Sequence, residues 1–148
     1  DRPFDEYWRE RSKNLKRNIV KKTNRLAHQG IAHQLVEVHE RADLPRAVEV
    51  YGILEQRGWK GEIGTAVDLH HTSGQFYVEM LDNFAAQGRA AIFQLQFDGE
   101  VVASAITIRG GDMLIILKIA YAEEMSDYSP GLLMMYELHR RAFVMPEV

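Results

Sequence analysis

Apolar residues along this chain follow a helical period at both ends and a two-residue period in the middle, so a meander of strands is expected between helices. Trp8, Leu15, Ile19 and Leu26 recur at spacings of seven, four and seven, one narrow stripe on a 3.6-residue period. They predict a first helix from about Asp5 to His28, stopped by Gly30. Gln34–His39 reads as a short strand, with Leu35, Val36 and Val38 apolar. Asp43 resembles an N-cap and Pro45 sits in the following first turn, where a missing N–H costs nothing. Leu44, Ala47, Val48, Tyr51 and Leu54 then form the buried face of a second helix that Gly58 ends. Residues Trp59–His71 show no clean period, and Gly61 and Gly64 mark them as a loop. Thr72 or Ser73 can cap a third helix, with Phe76, Tyr77, Met80, Leu81 and Phe84 at helical spacing and Gly88 closing it.

From Ala90 the period changes to two: Ala91, Phe93, Leu95 and Phe97 alternate with Ile92, Gln94 and Gln96. Asp98-Gly99 is a strong hairpin signal, because both central residues of a type I′ turn need positive φ. Glu100–Arg109 is the returning strand, Gly110-Gly111-Asp112 a second turn, and Met113–Ala122 a third strand, apolar on both faces. Ser129-Pro130-Gly131 opens a last helix, Leu132 to about Val144. The expected class is α/β (α+β), a mainly antiparallel sheet flanked by helices.

The 148 residues suit one domain, and 46% hydrophobic with 26% charged residues exclude disorder and a coiled coil. The absence of Cys excludes a disulfide scaffold and thiolate metal sites, and fits a reducing, cytoplasmic location. The apolar runs Met113–Leu117 and Leu132–Tyr136 are far too short to span a membrane, and the first residues carry no signal-peptide pattern, so a soluble domain is expected. Charge is unevenly spread. Arg9, Arg11, Lys13, Lys16, Arg17, Lys21, Lys22 and Arg25 stand against Glu10 alone, a net +7 that leaves −10 for the rest of a chain totalling −3. Such a run either meets an anionic partner or is a solvated face resting on an acidic neighbour.

Most of the candidate chemistry lies where the third strand meets the last helix. Ser129 is a good N-cap, Pro130 a good N1 residue, and Gly131 lets a ligand approach the backbone. Free N–H groups of Gly131, Leu132 and Leu133 at a positive helix end would suit a pyrophosphate; an ordinary capped helix fits the same residues.

A hairpin, a third strand and a helix opening on a Gly-bearing turn resemble the acyl-CoA-binding half of the GNAT acetyltransferases. Trp59-Lys60-Gly61 with Gly64-Thr65-Ala66, Lys118-Ile119-Ala120-Tyr121 and Tyr128-Ser129-Pro130-Gly131-Leu132-Leu133 narrow that likeness. With the basic first helix they resemble the cellulose-biosynthesis-associated (CelD/BcsL-like) acetyltransferases, a group related to the Fem aminoacyltransferases. The resemblance runs from about Tyr7 to Phe143. It implies an acyl-CoA co-substrate, usually acetyl-CoA, with its pyrophosphate at Tyr128, Ser129, Gly131, Leu132 and Leu133. It also implies an amine acceptor that attacks the thioester directly. The usual loop, Arg/Gln-x-x-Gly-x-Gly/Ala, has Tyr128 and Leu133 at its outer positions here. The strand and helix that follow in a complete GNAT fold are absent from the sequence, so a fragment of a longer protein is expected. Two alternatives accompany this reading: a Fem-like transferase using aminoacyl-tRNA, the one case in which nucleic acid enters, and a non-catalytic partner-binding module. A homodimer is an allowed assembly.

Within that frame Tyr121 can protonate the leaving thiolate or pack its ring with the hydroxyl at the rim. Glu123 and Glu124 can act as a general base or stay solvated, and Lys118 can meet a phosphate or acceptor carboxylate or snorkel from a sheet edge. Trp59, Lys60 and His71 are candidates for the acceptor cleft, although a Trp anchoring its loop on the core explains Trp59 equally well. His70-His71 lacks further residues at ligand spacing, so no metal is expected.

Overall fold

The computed structural model describes residues 3–56 and 72–144. In chain order these form α1 (Phe4–Arg9), α2 (Lys13–His28), β1 (His33–Val38), α3 (Leu44–Gln56), α4 (Thr72–Ala85), β2 (Ala90–Phe97), β3 (Glu100–Gly110) and β4 (Met113–Tyr121). A 3₁₀ turn at Glu123–Tyr128 then leads into α5 (Pro130–Val144). The four strands make one antiparallel sheet in the order β1-β2-β3-β4. The mixed α/β architecture expected from the sequence is the observed one.

The single first helix is corrected to two. The Ser12 side chain accepts from the Leu15 N–H at 3.1 Å and starts a new helix after α1 has ended at Arg9. The stripe itself survives the break. Ile19 and Leu26 are buried, with Trp8 and Leu15 packed against the same core. On α4, Leu81 is fully buried, whereas Phe76 faces outward at 58% exposure, contrary to its expected place on the apolar face. The side chains of Thr72 and Ser73, and residues 57–71, lie outside the described residues.

Register assigns the two faces of the sheet. Ile92, Ile106 and Lys118 stand side by side on one face, and Phe93, Ala105 and Ile119 on the other. The Lys118 face is covered by α3, whose Glu55 meets Lys118 directly. The Phe93 face lies under α5 and α1. The Asp98-Gly99 turn has φ of 50° and 83°, the positive pair that the β2–β3 hairpin needs.

β4 is the outermost strand of the described sheet. Its residues 114–119 are all half-buried, unlike the fully buried centre of β3. Register shifts between Ile106 and Thr107, whose partners are Lys118 and Ile116, so Leu117 is an extra residue with no opposite number on β3.

Candidate functional site

Three residues join the 3₁₀ turn to the last helix and set its geometry. Ser129 has φ 48° and ψ 59°, a left-handed conformation that reverses the chain between Tyr128 and Pro130. This differs from the extended backbone of a usual N-cap. Its carbonyl accepts the Leu133 N–H at 3.0 Å, the first bond of α5. Leu133 is therefore corrected: its amide is spent inside the helix. Pro130 has no N–H, which leaves Gly131 and Leu132 as the amides that precede the first helical bond. Both point out of the positive end of the helix dipole.

Gly131 has a second neighbour. A side chain there would put its Cβ 3.3 Å from the Tyr121 ring, so the aromatic ring at the end of β4 lies directly against the first turn of α5. Tyr121 is 38% exposed. The glycine thus serves the close approach of a protein side chain, a use that the local sequence did not reveal. Tyr128 packs edge-on against Phe97, with ring centroids 6.0 Å apart, and anchors the turn onto the hairpin. Glu123 and Glu124 sit exposed at the start of the 3₁₀ turn, two and three residues beyond Tyr121.

The structure does not gather the expected catalytic trio. Tyr121 shares the α5 side of β4 with Ile119, whereas Lys118 belongs to the opposite face. There its ammonium lies 3.2 Å from the Glu55 carboxylate, which is completely buried and also accepts from the Tyr51 hydroxyl at 3.1 Å. The Lys118 ammonium also stands 5.8 Å from the centre of the Tyr77 ring. Burial, reinforced by the Glu55 charge, pushes the Tyr51 hydroxyl far above its usual range, so it remains a donor. Lys118 is neither an open-edge snorkel nor a partner for a phosphate at α5; its charge is held between the sheet and α3. Ser104, on that same face, is fully buried with an unpaired hydroxyl. Of the acceptor-cleft candidates, Trp59, Lys60 and His71 lie outside the described residues.

Sequence reasoning missed two long-range contacts. One is Glu55, 63 positions before its partner Lys118. The other joins the basic helix to the site: Lys22 Nζ and Arg25 Nη1 both donate to the Asp127 carbonyl, at 2.8 and 2.9 Å. A separate cleft of about 610 Å³ lies further along α5, between Leu35, Phe93 and Glu137. An Arg141–Glu37 pair at 2.7 Å stands in its wall, and it shares no residue with the α5 start.

An antiparallel meander whose outer, bulged strand runs into a glycine-bearing helix start defines a domain of the N-acetyltransferase type. A family model described as the acetyltransferase (GNAT) domain matches residues 13–145, and the chain belongs to that family. A search of curated proteins found no match. The family uses acetyl-CoA or another acyl-CoA as co-substrate and transfers the acyl group to an acceptor. Among the described residues, no helix is long and apolar enough to cross a membrane.

Proposed function

We propose that this domain transfers an acetyl or longer acyl group from acyl-CoA to an amine. The observation that carries this reading is the junction itself: bulged β4 leads through a left-handed Ser129 into the available amides of Gly131 and Leu132. Those amides hold the diphosphate, with Tyr128 and Ser129 shaping the turn. The pantetheine arm lies along β4, where Leu117, unmatched on β3, offers a backbone N–H to polarise the thioester carbonyl.

The amine nitrogen attacks the carbonyl carbon, the C–S bond breaks, and the electron pair leaves on sulfur. Tyr121 gives its hydroxyl proton to the thiolate. Glu123 takes the surplus amine proton through a water. Lys118, held by Glu55, keeps one polar group on the α3 side of β4, and Trp59, Lys60 and His71 remain the acceptor-binding candidates from the sequence. The CelD/BcsL-like resemblance makes an amine in cell-envelope or exopolysaccharide synthesis the favoured acceptor class.

Calorimetry and thermal melting with acetyl-CoA, a longer acyl-CoA and free CoA test this. Binding at a hundredfold excess over Kd should add about 2.7 kcal/mol to stability. No heat and no melting shift with any of the three overturns the acyl-CoA reading. A gel shift with aminoacyl-tRNA under the same conditions would move the donor to the Fem-like alternative.

A further inference from the structure

The α5 start has an electrostatic problem within its own segment. Between Tyr121 and Leu133 stand three carboxylates, Glu123, Glu124 and Asp127, and no Lys or Arg. A helix end contributes only about half a positive charge, so this segment by itself supplies little positive field for a diphosphate.

Two cations reach the segment from α2, about a hundred positions earlier. Lys22 and Arg25, three apart and therefore on one face of that helix, converge on the single carbonyl oxygen of Asp127, at 2.8 and 2.9 Å. That oxygen lies two residues before Ser129. Each side chain has donors to spare, because an ammonium carries three and a guanidinium five. Neither lies within ion-pair distance of a carboxylate among the described residues. Two like charges drawn to one neutral oxygen repel each other, and a neighbouring anion would relieve that repulsion.

We propose that Lys22 and Arg25 form the cationic wall of the donor site, so that α2 makes the domain select donors carrying phosphate groups. The inference rests on the acyl-CoA reading above and extends it to residues outside the strand–helix junction. It gives the basic run a specific use. The α2 cations bond to a backbone oxygen of this acidic segment, and no carboxylate of the described residues lies within ion-pair distance of either.

The test compares CoA with pantetheine, which lacks every phosphate, in binding calorimetry on the whole chain. The double variant Lys22→Gln/Arg25→Gln should bind CoA at least tenfold more weakly at low salt, with pantetheine affinity unchanged. Its CoA affinity should also respond less to added salt, because fewer screened contacts remain. The charge-retaining pair Lys22→Arg/Arg25→Lys should bind CoA within about threefold of the parent, a rescue that separates charge from local packing. A double variant with the parent's CoA affinity and salt response overturns the inference and leaves the donor reading standing. Equal loss of CoA and pantetheine overturns it as well, because the two residues would then only hold the turn. A parent chain that binds neither probe ends both readings.

Discussion

The two faces of β4 handle positive charge in opposite ways. On the α3 face, Lys118 is spent: a fully buried carboxylate takes its ammonium at 3.2 Å, and Tyr51 supplies a further hydrogen bond to that carboxylate. At the α5 junction, Lys22 and Arg25 reach a neutral carbonyl, with no carboxylate of the described residues within ion-pair distance. The first arrangement is closed and stabilises the sheet–helix packing. A cation in a transferase is therefore best judged by what neutralises it. Lys118 drew attention because it interrupts an apolar strand, yet the unneutralised pair belongs to a helix whose sequence reads as ordinary basic surface.

The largest effect should come from breaking the closed arrangement. Glu55→Ala leaves Lys118 without its counter-charge and Tyr51 without its acceptor. Because Lys118 retains 23% exposure, the cost should fall at the low end for a broken buried pair, about 3 kcal/mol in urea unfolding. Adding Lys118→Met should recover most of it, since an apolar replacement of a buried pair is often close to neutral. A single-variant cost below about 1 kcal/mol, within the range of an exposed pair, would mean that the two faces do not differ as described.

On the open side, Tyr121→Phe should lower kcat about a hundredfold, the contribution of one proton-transfer group, with donor affinity and melting temperature nearly unchanged. Release of free CoA thiol across a panel of amines measures it. Retention of full kcat would reduce Tyr121 to a packing residue.

Gly131→Ala is a milder probe. Its methyl carbon would stand 3.3 Å from the Tyr121 ring, which must shift by a few tenths of an ångström, and the added methyl narrows the approach to the amides. CoA affinity should fall about tenfold, while stability changes by no more than about 1 kcal/mol in either direction, because alanine is the better helix former. Unaltered CoA binding would show that the Tyr121–Gly131 contact is independent of the donor site.

The smallest effect concerns an exposed pair that belongs to neither arrangement. Arg41 holds the Asp82 carboxyl below its usual range, chiefly through paired hydrogen bonds of 2.8 Å. A lowered folded value means that this pair contributes above the ordinary Asp pKa, and that the contribution fades as pH falls through the lowered value. Arg41→Gln should therefore melt slightly below the parent near neutrality, and the two curves should converge in strong acid. A gap that widened with acidity would contradict the sign.

Local signals made most of the architecture legible. Asp98-Gly99 announces its turn because two adjacent positive φ values admit few residues, and both are observed. The α2 stripe was readable because Ile19 and Leu26 repeat on a helical period; the break before it was not, because Ser12 caps a new helix without disturbing that period. Phe76 misled for a related reason: helical spacing says which residues share a side, and packing decides how far the buried stripe extends. At the junction, Ser-Pro-Gly marked a helix start correctly. The left-handed Ser129 and the spent Leu133 amide depend on how the preceding 3₁₀ turn enters the helix, which no spacing rule specifies. The Glu55–Lys118 pair and the Asp127 clamp join residues 63 and about a hundred positions apart, and only the closed sheet brings them together.

The central claim is that the amides opening α5 hold a diphosphate. A crystal structure of the chain grown with saturating acetyl-CoA tests it most directly. Diphosphate density is expected within hydrogen-bond distance of the Gly131 and Leu132 N–H groups, with the pantetheine arm along β4 and Tyr121 turned aside. Acetyl-CoA bound elsewhere, or a saturated crystal in which the Tyr121 ring still lies against Gly131 and no diphosphate is present, would contradict it.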